Sequence, residues 1–214
     1  MNEQPPDNWL ATRYRIFSLQ TDINTKRLAK QILKNESKII KKFPGKSIDG
    51  AYDFDGGTGL GYDSLTSRSC HFNLLDWWGT RSLRKWIRKG WEGYHELSKP
   101  ADPLYVQCWA NVMRKGEKIQ SHCHDYREEI TPDFMLTGHM SVQVDGSTCT
   151  WYEGKPILNE EGWMTLIPGN LHHWTDRYEN DGHRITIAFD ILSEFMYQHY
   201  TAEKYKNTNH WIKV

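Results

Sequence analysis

The chain changes its pattern of apolar and polar residues near its middle. In the first half, apolar residues recur every three or four positions in two segments, Ile23–Phe43 and Ser82–Leu97. This spacing is typical of an amphipathic α-helix with one buried face. We therefore expect two helices that pack against a sheet. Their apolar stripes consist of Leu28, Ile32, Leu33, Ile39, Ile40 and Phe43, and of Leu83, Trp86, Ile87, Tyr94 and Leu97.

From Leu104 onward, apolar and polar residues alternate with the period of a β-strand. The alternating segments are rich in Val, Ile, Thr and aromatic residues, and turn signals separate them. Short strands at this density predict a mainly β fold, a β-sandwich or jelly roll, rather than a parallel α/β sheet. The predicted strands are Tyr105–Arg114, Phe134–Asp145, Thr148–Tyr152, Trp163–Ile167 and Arg184–Ile191.

These patterns predict one domain with three parts. Residues 1–103 form a helical or irregular region that packs on the β-core, residues 104–192 form the core, and residues 193–214 form a helical or irregular tail. A chain of 214 residues is long enough for one well-buried core. The four cysteines form no CxxC pair, and neither a signal sequence nor an apolar run of membrane-spanning length is present. We therefore expect a cytoplasmic protein with reduced thiols and no membrane partner.

The charge of the chain argues against nucleic acid as a partner. Lys and Arg number 27, and Asp and Glu also number 27, so the formal net charge is zero. A protein that binds the phosphate backbone usually carries a basic excess on one face. The basic clusters at Lys26–Lys46 and Arg81–Lys89 are better explained as solvated helix faces. A free edge strand would allow a homodimer.

Three histidines in the β-rich half are candidate metal ligands. His122 and His124 occupy positions i and i+2, which point to the same face of a strand, so both imidazoles can enter one cavity. A pair of half-exposed histidines is the alternative explanation for this pair alone. His173 follows a predicted strand and a turn, with His172 as the competing candidate. Three ligands that leave coordination positions open suit a mononuclear non-haem Fe(II) site.

Arg184 and Thr186 share one face of the last predicted strand, and Ile185 and Ile187 share the other. A guanidinium at the rim of a largely apolar pocket, with a hydroxyl beside it, can bind a carboxylate through two hydrogen bonds. Alone, Arg184 would be interpreted as a surface residue on an edge strand. Eleven residues after His173, it is better explained as the anchor of an acidic cosubstrate.

Two further segments leave alternatives open. Asp125, Glu128 and Glu129 follow the histidine pair closely, and each can supply a carboxylate ligand or lie on a solvated loop. The glycine-rich stretch Asp53–Gly61 lacks the Lys-Ser/Thr of a phosphate-binding loop. We expect it to be a flexible loop, and a lid over the site is one hypothesis for its role.

Taken together, these motifs resemble those of double-stranded β-helix proteins. The spacing Gly116-x5-His122-x-His124, with Glu128 or Glu129 and then Gly162-x5-Pro168-x4-His173, resembles the two cupin motifs, except that Asn170 replaces a glycine. More of the chain, from Tyr105 to Ile191, resembles the small 2-oxoglutarate/Fe(II)-dependent oxygenases of bacteria and their phages. The matching segments are Cys108–Met113, His122–His124, Leu136–His139, Leu166–His173 and, most specifically, Arg184–Asp190.

The resemblance implies a double-stranded β-helix, jelly-roll or cupin-like in form, with flanking N-terminal helices. By position it implies His122 and His173 as iron ligands. It also implies Arg184 with Thr186 as the anchor for the distal carboxylate of 2-oxoglutarate, and Asn111 as a further cosubstrate residue. The implied activity is an oxygenase, most simply a hydroxylase of a small molecule or a side chain, which consumes O₂ and releases succinate and CO₂.

The sequence departs from this family at His124, which stands where the common His-x-Asp/Glu motif has its carboxylate. A site of His122, His124 and His173 would be uniformly neutral, as in some cupin-type dioxygenases. Asp125, Glu128 or Glu129 would otherwise supply the third ligand. Two alternatives to the oxygenase therefore remain: a three-histidine cupin metalloenzyme that needs no 2-oxoglutarate, and a non-catalytic module that binds a small ligand. Candidate walls of the substrate pocket are Trp109, Trp151 and Trp174.

Overall fold

The computed structural model describes residues 15–43, 59–69, 71–77, 79–99, 101–124, 133–199 and 210–214. Within these residues the fold is mainly β, as the alternating pattern predicted. The elements in chain order are β1 (Phe17–Gln20), α1 (Thr25–Lys42), α2 (Arg81–Tyr94), β2 (Leu104–Met113), β3 (Met135–Gln143), β4 (Cys149–Tyr152), β5 (Lys155–Leu158), β6 (Trp163–Pro168), β7 (His173–Thr175), β8 (Arg184–Ser193), α3 (Glu194–His199) and β9 (Ile212–Lys213).

Six strands form a large antiparallel sheet in the order β1-β6-β3-β8-β2-β9. Strand β8 lies inside this sheet, between β3 and β2. Its register with β2 runs from Met113 opposite Arg184 to Leu104 opposite Ser193. Because side chains alternate along a strand, β8 has two different faces. One face lines a cavity, and the other buries Ile185, Ile187 and Phe189 in the main core.

A smaller sheet, in the order β5-β4-β7, covers the other side of this cavity. The segment that carries the histidine pair continues this sheet beside β7. The backbone N–H of Thr175 donates to the carbonyl oxygen of Ile119 at 3.1 Å, and that of His124 donates to Gly169 at 2.9 Å. Between these contacts, His122 and His173 form an isolated antiparallel bridge. The cavity thus lies between two antiparallel layers.

Helices α1 and α2 pack on the large sheet, where α1 contacts β3 and α2 contacts β1 and β6. Both predicted helices are confirmed, and their apolar stripes join the main core. The exception is Leu97, which lies beyond the end of α2 and is 44% exposed, so its inclusion in the stripe was wrong. Asn24 caps the start of α1, because its side-chain oxygen accepts a hydrogen bond from the backbone N–H of Arg27 at 2.9 Å. Farther along α1, Glu36 forms an ion pair with Arg114. Nη2 of Arg114 donates to both carboxylate oxygens of Glu36, at 2.9 and 2.8 Å.

Two glycines allow α2 to lie close to the sheet. A Cβ atom on Gly90 would come within 2.8 Å of Cδ1 of Leu166, and one on Gly93 within 2.6 Å of Cζ of Phe17. Glycine in a helix interior usually costs about 1 kcal/mol relative to alanine. Here the close helix–sheet contact accounts for both positions.

Four short strands were not predicted from the sequence. β1 pairs with β6 at one edge of the large sheet, and the two-residue β9 pairs with β2 at the other edge. β5 and β7 pair with the two sides of β4 in the small sheet. All four are too short for alternation to be visible, so the neighbouring strand determines their conformation. Within the described residues, no helix is long and apolar enough to cross a membrane.

Candidate metal centre

Three imidazoles converge at one side of the cavity. The potential ligand atoms of His122, His124 and His173 all lie within 4.8 Å of one another. The backbone explains this convergence. His122 and His173 exchange both backbone hydrogen bonds, at 3.2 and 3.0 Å, so their side chains project from the same face of the antiparallel pair. His124 lies two residues along the same segment and therefore projects to that face as well.

Each of these rings already uses Nδ1 in a hydrogen bond. Nδ1 of His122 lies 2.8 Å from the carbonyl oxygen of Gln120, and Nδ1 of His173 lies 3.0 Å from that of Leu171. Because a carbonyl oxygen can only accept, Nδ1 must carry the proton in both rings. The lone pair is then on Nε2, which is the atom that can bind a metal ion.

The third ring is held by a carboxylate. Nδ1 of His124 lies 2.6 Å from Oδ1 of Asp190 and 3.2 Å from Oγ1 of Thr137. Both atoms can accept the proton of Nδ1, so in the neutral ring the lone pair of His124 is on Nε2. The indole of Trp109 stacks on this ring, with centroids 5.8 Å apart and planes 23° from parallel. All three histidines therefore present the same nitrogen to the site.

Burial favours the neutral form of two of these ligands. Desolvation, with a contribution from the neighbouring His124, lowers the pKa of His122 to about 4. Burial, followed by the charges of the other two histidines, lowers the pKa of His173 well below its ordinary value. The neutral imidazole is the form that coordinates metal ions. His122 and His173 are thus ready to bind a metal ion at neutral pH.

Arg184 lies in the same cavity and is only 1% exposed. Its Nη1 approaches Sδ of Met113 at 3.2 Å and its Nη2 donates to Oγ1 of Thr150 at 3.3 Å, while its buried Nε has no hydrogen-bond partner among the described residues. No carboxylate in the described part of the chain forms a salt bridge with it. Burial lowers its pKa to about 10, so the guanidinium stays charged at neutral pH. A buried cation without an anion is costly, which makes this position a strong candidate for binding one.

A buried polar network supports the guanidinium. Oγ1 of Thr150 lies 3.0 Å from Oδ1 of Asn159, which also lies 3.3 Å from Nε2 of His139. Because Oδ1 of Asn159 accepts both bonds, Nδ1 of His139 can accept from the hydroxyl of Tyr152, 3.2 Å away. Burial, and then the charge of Arg184, lower the pKa of His139 to about 4. The network is therefore neutral, and it leaves the charge of Arg184 uncompensated.

The remaining cosubstrate candidates lie between the histidines and Arg184. Asn111 and Thr186 are opposite one another in the register of β2 and β8, and both are buried and line the cavity. Oδ1 of Asn111 accepts a hydrogen bond from Oγ1 of Thr66 at 2.6 Å. The amide nitrogen is therefore the group that Asn111 can offer to a ligand.

The three candidate tryptophans occupy different places. Trp109 is 7% exposed, lines the cavity and has an indole N–H without a partner among the described residues. Trp174 also lines the cavity. Trp151 is absent from the lining; it stacks on Trp174 with centroids 6.2 Å apart and donates from Nε1 to Asp176 at 2.9 Å. His172, the competing ligand candidate, is also absent from the lining.

Several predicted positions lie outside the described part of the chain. Asp125, Glu128 and Glu129 lie outside the described residues, as does most of the glycine-rich stretch. Its described end contacts the histidine-bearing segment, because a Cβ on Gly59 would come within 2.8 Å of the side chain of Gln120.

The sequence analysis did not single out Asp190, His139 or Asn159. Asp190 could have been found by continuing the alternation of Arg184 and Thr186 along the same strand. His139 lies within a segment used for the family resemblance, but no local pattern indicates that it faces Arg184. Asn159 joins the network through contacts distant in sequence, which no spacing reveals.

Comparison with known proteins adds a likeness of fold. No protein-family model matches the chain. A polyketide synthase, CurC of Streptomyces cyaneus, is 34% identical over 71 residues, which cover 33% of this chain and 38% of that protein. The chain thus spans well under half of the curated relative that it matches.

Solved structures match most of the chain at low sequence identity. The viral collagen prolyl hydroxylase vCPH from Paramecium bursaria Chlorella virus-1, in its 2OG complex, has a TM-score of 0.55 and 10% identity over 83% of this chain and 96% of that one. AviO1 from Streptomyces viridochromogenes Tue57 has a TM-score of 0.56 and 12% identity over 86% and 91%. The non-haem α-ketoglutarate-dependent epimerase SnoN from nogalamycin biosynthesis has a TM-score of 0.52 and 11% identity over 87% and 82%. These values show a shared fold.

Proposed function

We propose that the protein is an Fe(II)- and 2-oxoglutarate-dependent oxygenase on a double-stranded β-helix. One observation carries this proposal. Arg184 is a buried cation with no acidic partner among the described residues, and it lies in the same cavity as three imidazoles whose Nε2 atoms are available. A ligand with a carboxylate at one end and metal-chelating oxygens at the other end satisfies both features. 2-Oxoglutarate has this chemistry.

His122, His124 and His173 would hold the iron. Two nitrogens that share one ion at about 2.1 Å each lie at most about 4.2 Å apart. The three potential ligand atoms, all within 4.8 Å of one another, would have to approach more closely to share one ion. Three neutral nitrogen ligands on one side leave the other coordination positions open for a cosubstrate and O₂. The similarity in fold to a 2OG complex and to an α-ketoglutarate-dependent enzyme supports this choice of cofactors.

Arg184 would bind the distal carboxylate of 2-oxoglutarate. Its Nε has no partner among the described residues, so a carboxylate can accept from Nε and from one terminal nitrogen at the same time. Thr186 lies two residues along the same face and can add a hydroxyl donor. The amide nitrogen of Asn111, on the neighbouring strand, can donate to the same carboxylate. Binding would compensate the buried charge and orient the cosubstrate toward the histidines.

When bound, iron and 2-oxoglutarate supply the oxidising chemistry, in which O₂ is consumed, succinate and CO₂ are released and a substrate C–H bond is hydroxylated. The protein contributes binding, orientation and the exclusion of water. Trp109 and Ile167 provide apolar surface at the cavity, which limits the access of water to the reacting groups. The proposed substrate is a small molecule or a side chain.

A second candidate function rests on the all-histidine ligand set. A three-histidine cupin enzyme could oxidise its substrate directly, without 2-oxoglutarate. It would not explain why a charged guanidinium is buried in the cavity without a salt bridge to any carboxylate of the described residues. For this reason we favour the 2-oxoglutarate-dependent reaction.

Anaerobic titration of the Fe(II)-loaded protein with 2-oxoglutarate tests the proposal. We expect a metal-to-ligand charge-transfer band in the visible region, and we expect Arg184→Ala to abolish it at cosubstrate concentrations that saturate the wild type. Arg81→Ala, which removes an exposed guanidinium from α2, is the matched control and should leave the band unchanged. Stoichiometric iron without a band would favour the three-histidine enzyme. Failure to bind iron would instead favour a non-catalytic binding module.

A further inference from the structure

His124 differs from the other two histidines in the partner of its Nδ1 atom. His122 and His173 each donate to a backbone carbonyl oxygen, which is neutral. His124 lies 2.6 Å from a carboxylate oxygen of Asp190, and the two side chains are only 11% and 15% exposed. A charge-assisted hydrogen bond of this length between largely buried groups is stronger than a neutral one. Of the three histidines, His124 is therefore the one that is hydrogen-bonded to a carboxylate.

Two further side chains, Thr137 and Trp109, hold the ring of His124. Oγ1 of Thr137 lies 3.2 Å from the same Nδ1 atom and itself donates to the carbonyl oxygen of Phe189. Trp109 covers one face of the imidazole. Asp190 and Trp109 project from neighbouring strands of the large sheet, whereas His124 belongs to the layer on the other side of the cavity. The contact thus joins the two layers at the metal centre.

We propose that Asp190 is a positioning residue that supplies the negative charge of this metal centre through His124. In the common His-x-Asp/Glu arrangement, a carboxylate at the position of His124 would contact the ion directly. Here the carboxylate of Asp190 contacts His124 instead and would act on the metal through that ligand. It fixes the proton on Nδ1, directs Nε2 toward the site and makes Nε2 a stronger electron donor.

The position of Asp190 connects this role to the cosubstrate site. Alternation along β8 places Asp190 on the same face as Arg184 and Thr186. Strand β8 would therefore carry both Arg184, the cation that binds the distal carboxylate of 2-oxoglutarate, and Asp190, the anion that is hydrogen-bonded to His124. The inference rests on the metal centre of the proposed function, but it does not require 2-oxoglutarate.

A purely structural role for Asp190 makes a different prediction. In that case the hydrogen bond would only anchor the histidine-bearing segment to the large sheet. Asp190→Asn keeps an oxygen that can accept from Nδ1 and removes the charge, so an anchor would survive this change. Under our proposal, the same variant should bind metal more weakly by about 10- to 100-fold.

The decisive comparison uses variants in which a carboxylate replaces His124 and can contact the ion directly. His124→Asp alone places a second carboxylate beside Asp190, and like charges in a buried position oppose one another. In the double variant His124→Asp with Asp190→Asn, the single negative charge is restored, now in direct contact with the ion. We expect the double variant to bind metal more tightly than either single variant.

The measurement is anaerobic Co(II) binding, with the dissociation constant obtained by competition with a chelator and the d–d absorption spectrum as a second readout. Asp181→Asn, which alters an exposed carboxylate paired with Lys115 at 3.0 Å, is the matched control and should bind like the wild type. Circular dichroism and thermal unfolding establish whether each variant is folded. If Asp190→Asn does not fold, the comparison of His124→Asp with the double variant still measures the effect of the charge.

The outcomes separate this inference from the proposed function. Reciprocal compensation in the double variant, with an altered d–d spectrum in Asp190→Asn, would support the role of Asp190. Equal effects of Asp190→Asn in the wild type and in the His124→Asp variant, or an unchanged affinity in the single variant Asp190→Asn, would overturn it while leaving the metal centre intact. No Co(II) binding by the wild type would overturn the metal centre itself and this inference with it.

Discussion

His122 and His173 lie opposite one another in an antiparallel backbone pair and exchange both N–H···O hydrogen bonds, at 3.2 and 3.0 Å. The pairing brings their ring centroids to 4.4 Å. The convergence of the two imidazoles thus follows from the pairing of the backbone.

This arrangement predicts opposite results for two adjacent histidines. His173→Ala should reduce Co(II) or Fe(II) affinity by at least about 100-fold, because it removes one of the three proposed ligands and lets water into the site. His172→Ala should have little effect on metal affinity, since His172 does not line the cavity. Equilibrium dialysis with metal analysis checks both variants. Equal losses in the two would contradict the ligand assignment.

The buried histidines predict how the stability of the metal-free protein depends on pH. The pKa of His139 is about 4 in the folded protein, because burial and the nearby Arg184 disfavour its charged form. In the unfolded chain a histidine titrates near pH 6.5, so the unfolded state binds more protons between these two values. The free energy of unfolding should therefore fall as the pH is lowered from about 6.5 toward 4.

Urea denaturation of the metal-free protein at several pH values tests this direction. His139→Gln should make the pH dependence shallower, because one of the contributing groups is gone; its contribution in the wild type is at most about 3 kcal/mol. His199→Gln, at an exposed position, is the control. A slope that is unchanged in His139→Gln would show that His139 does not remain neutral in the folded state.

We expect Arg184 to be needed for the binding of 2-oxoglutarate but not for the stability of the metal-free protein. Replacing even a buried ion pair with apolar side chains of similar volume often leaves stability unchanged or increases it by about 1–4 kcal/mol. We expect metal-free Arg184→Met to be at least as stable as the wild type in urea. The same variant should lose the rise in melting temperature that 2-oxoglutarate gives the metal-loaded wild type. Marked destabilisation of Arg184→Met would indicate that the guanidinium already has a stabilising anionic partner.

The close contact between α2 and the sheet predicts the effects of two alanine substitutions. Helix propensity alone favours Gly→Ala by about 1 kcal/mol. A new Cβ at position 90 would meet the fully buried Leu166, which has little room to move. We expect Gly90→Ala to destabilise the protein by about 1–3 kcal/mol in spite of its propensity.

Gly93→Ala should be less harmful than Gly90→Ala, because Phe17 is only partly buried and its ring can shift. Ser82→Ala, at an exposed position of the same helix, provides the control. Thermal and urea unfolding measure all three variants. Stabilisation by Gly90→Ala would show that α2 is more loosely packed than the structure indicates.

Local sequence pattern was sufficient to predict most of the fold. The helical stripes of α1 and α2 and the alternation in β2, β3, β4, β6 and β8 depend on neighbouring residues, so they are visible in the sequence. The short strands β1, β5, β7 and β9 were not predictable in this way. They are two to four residues long, and their conformation comes from hydrogen bonds to the strands beside them.

The same distinction between local pattern and distant contacts applies to the candidate site. The sequence by itself determined that His122 and His124 share a face, and that Arg184 and Thr186 share another, because alternation follows from the geometry of one strand. Only the tertiary structure decided that these faces enclose one cavity, that Asp190 contacts His124, and that the buried charge of Arg184 meets no carboxylate among the described residues. Contacts between side chains distant in sequence, and the desolvation of a charge, arise only when the two layers pack together.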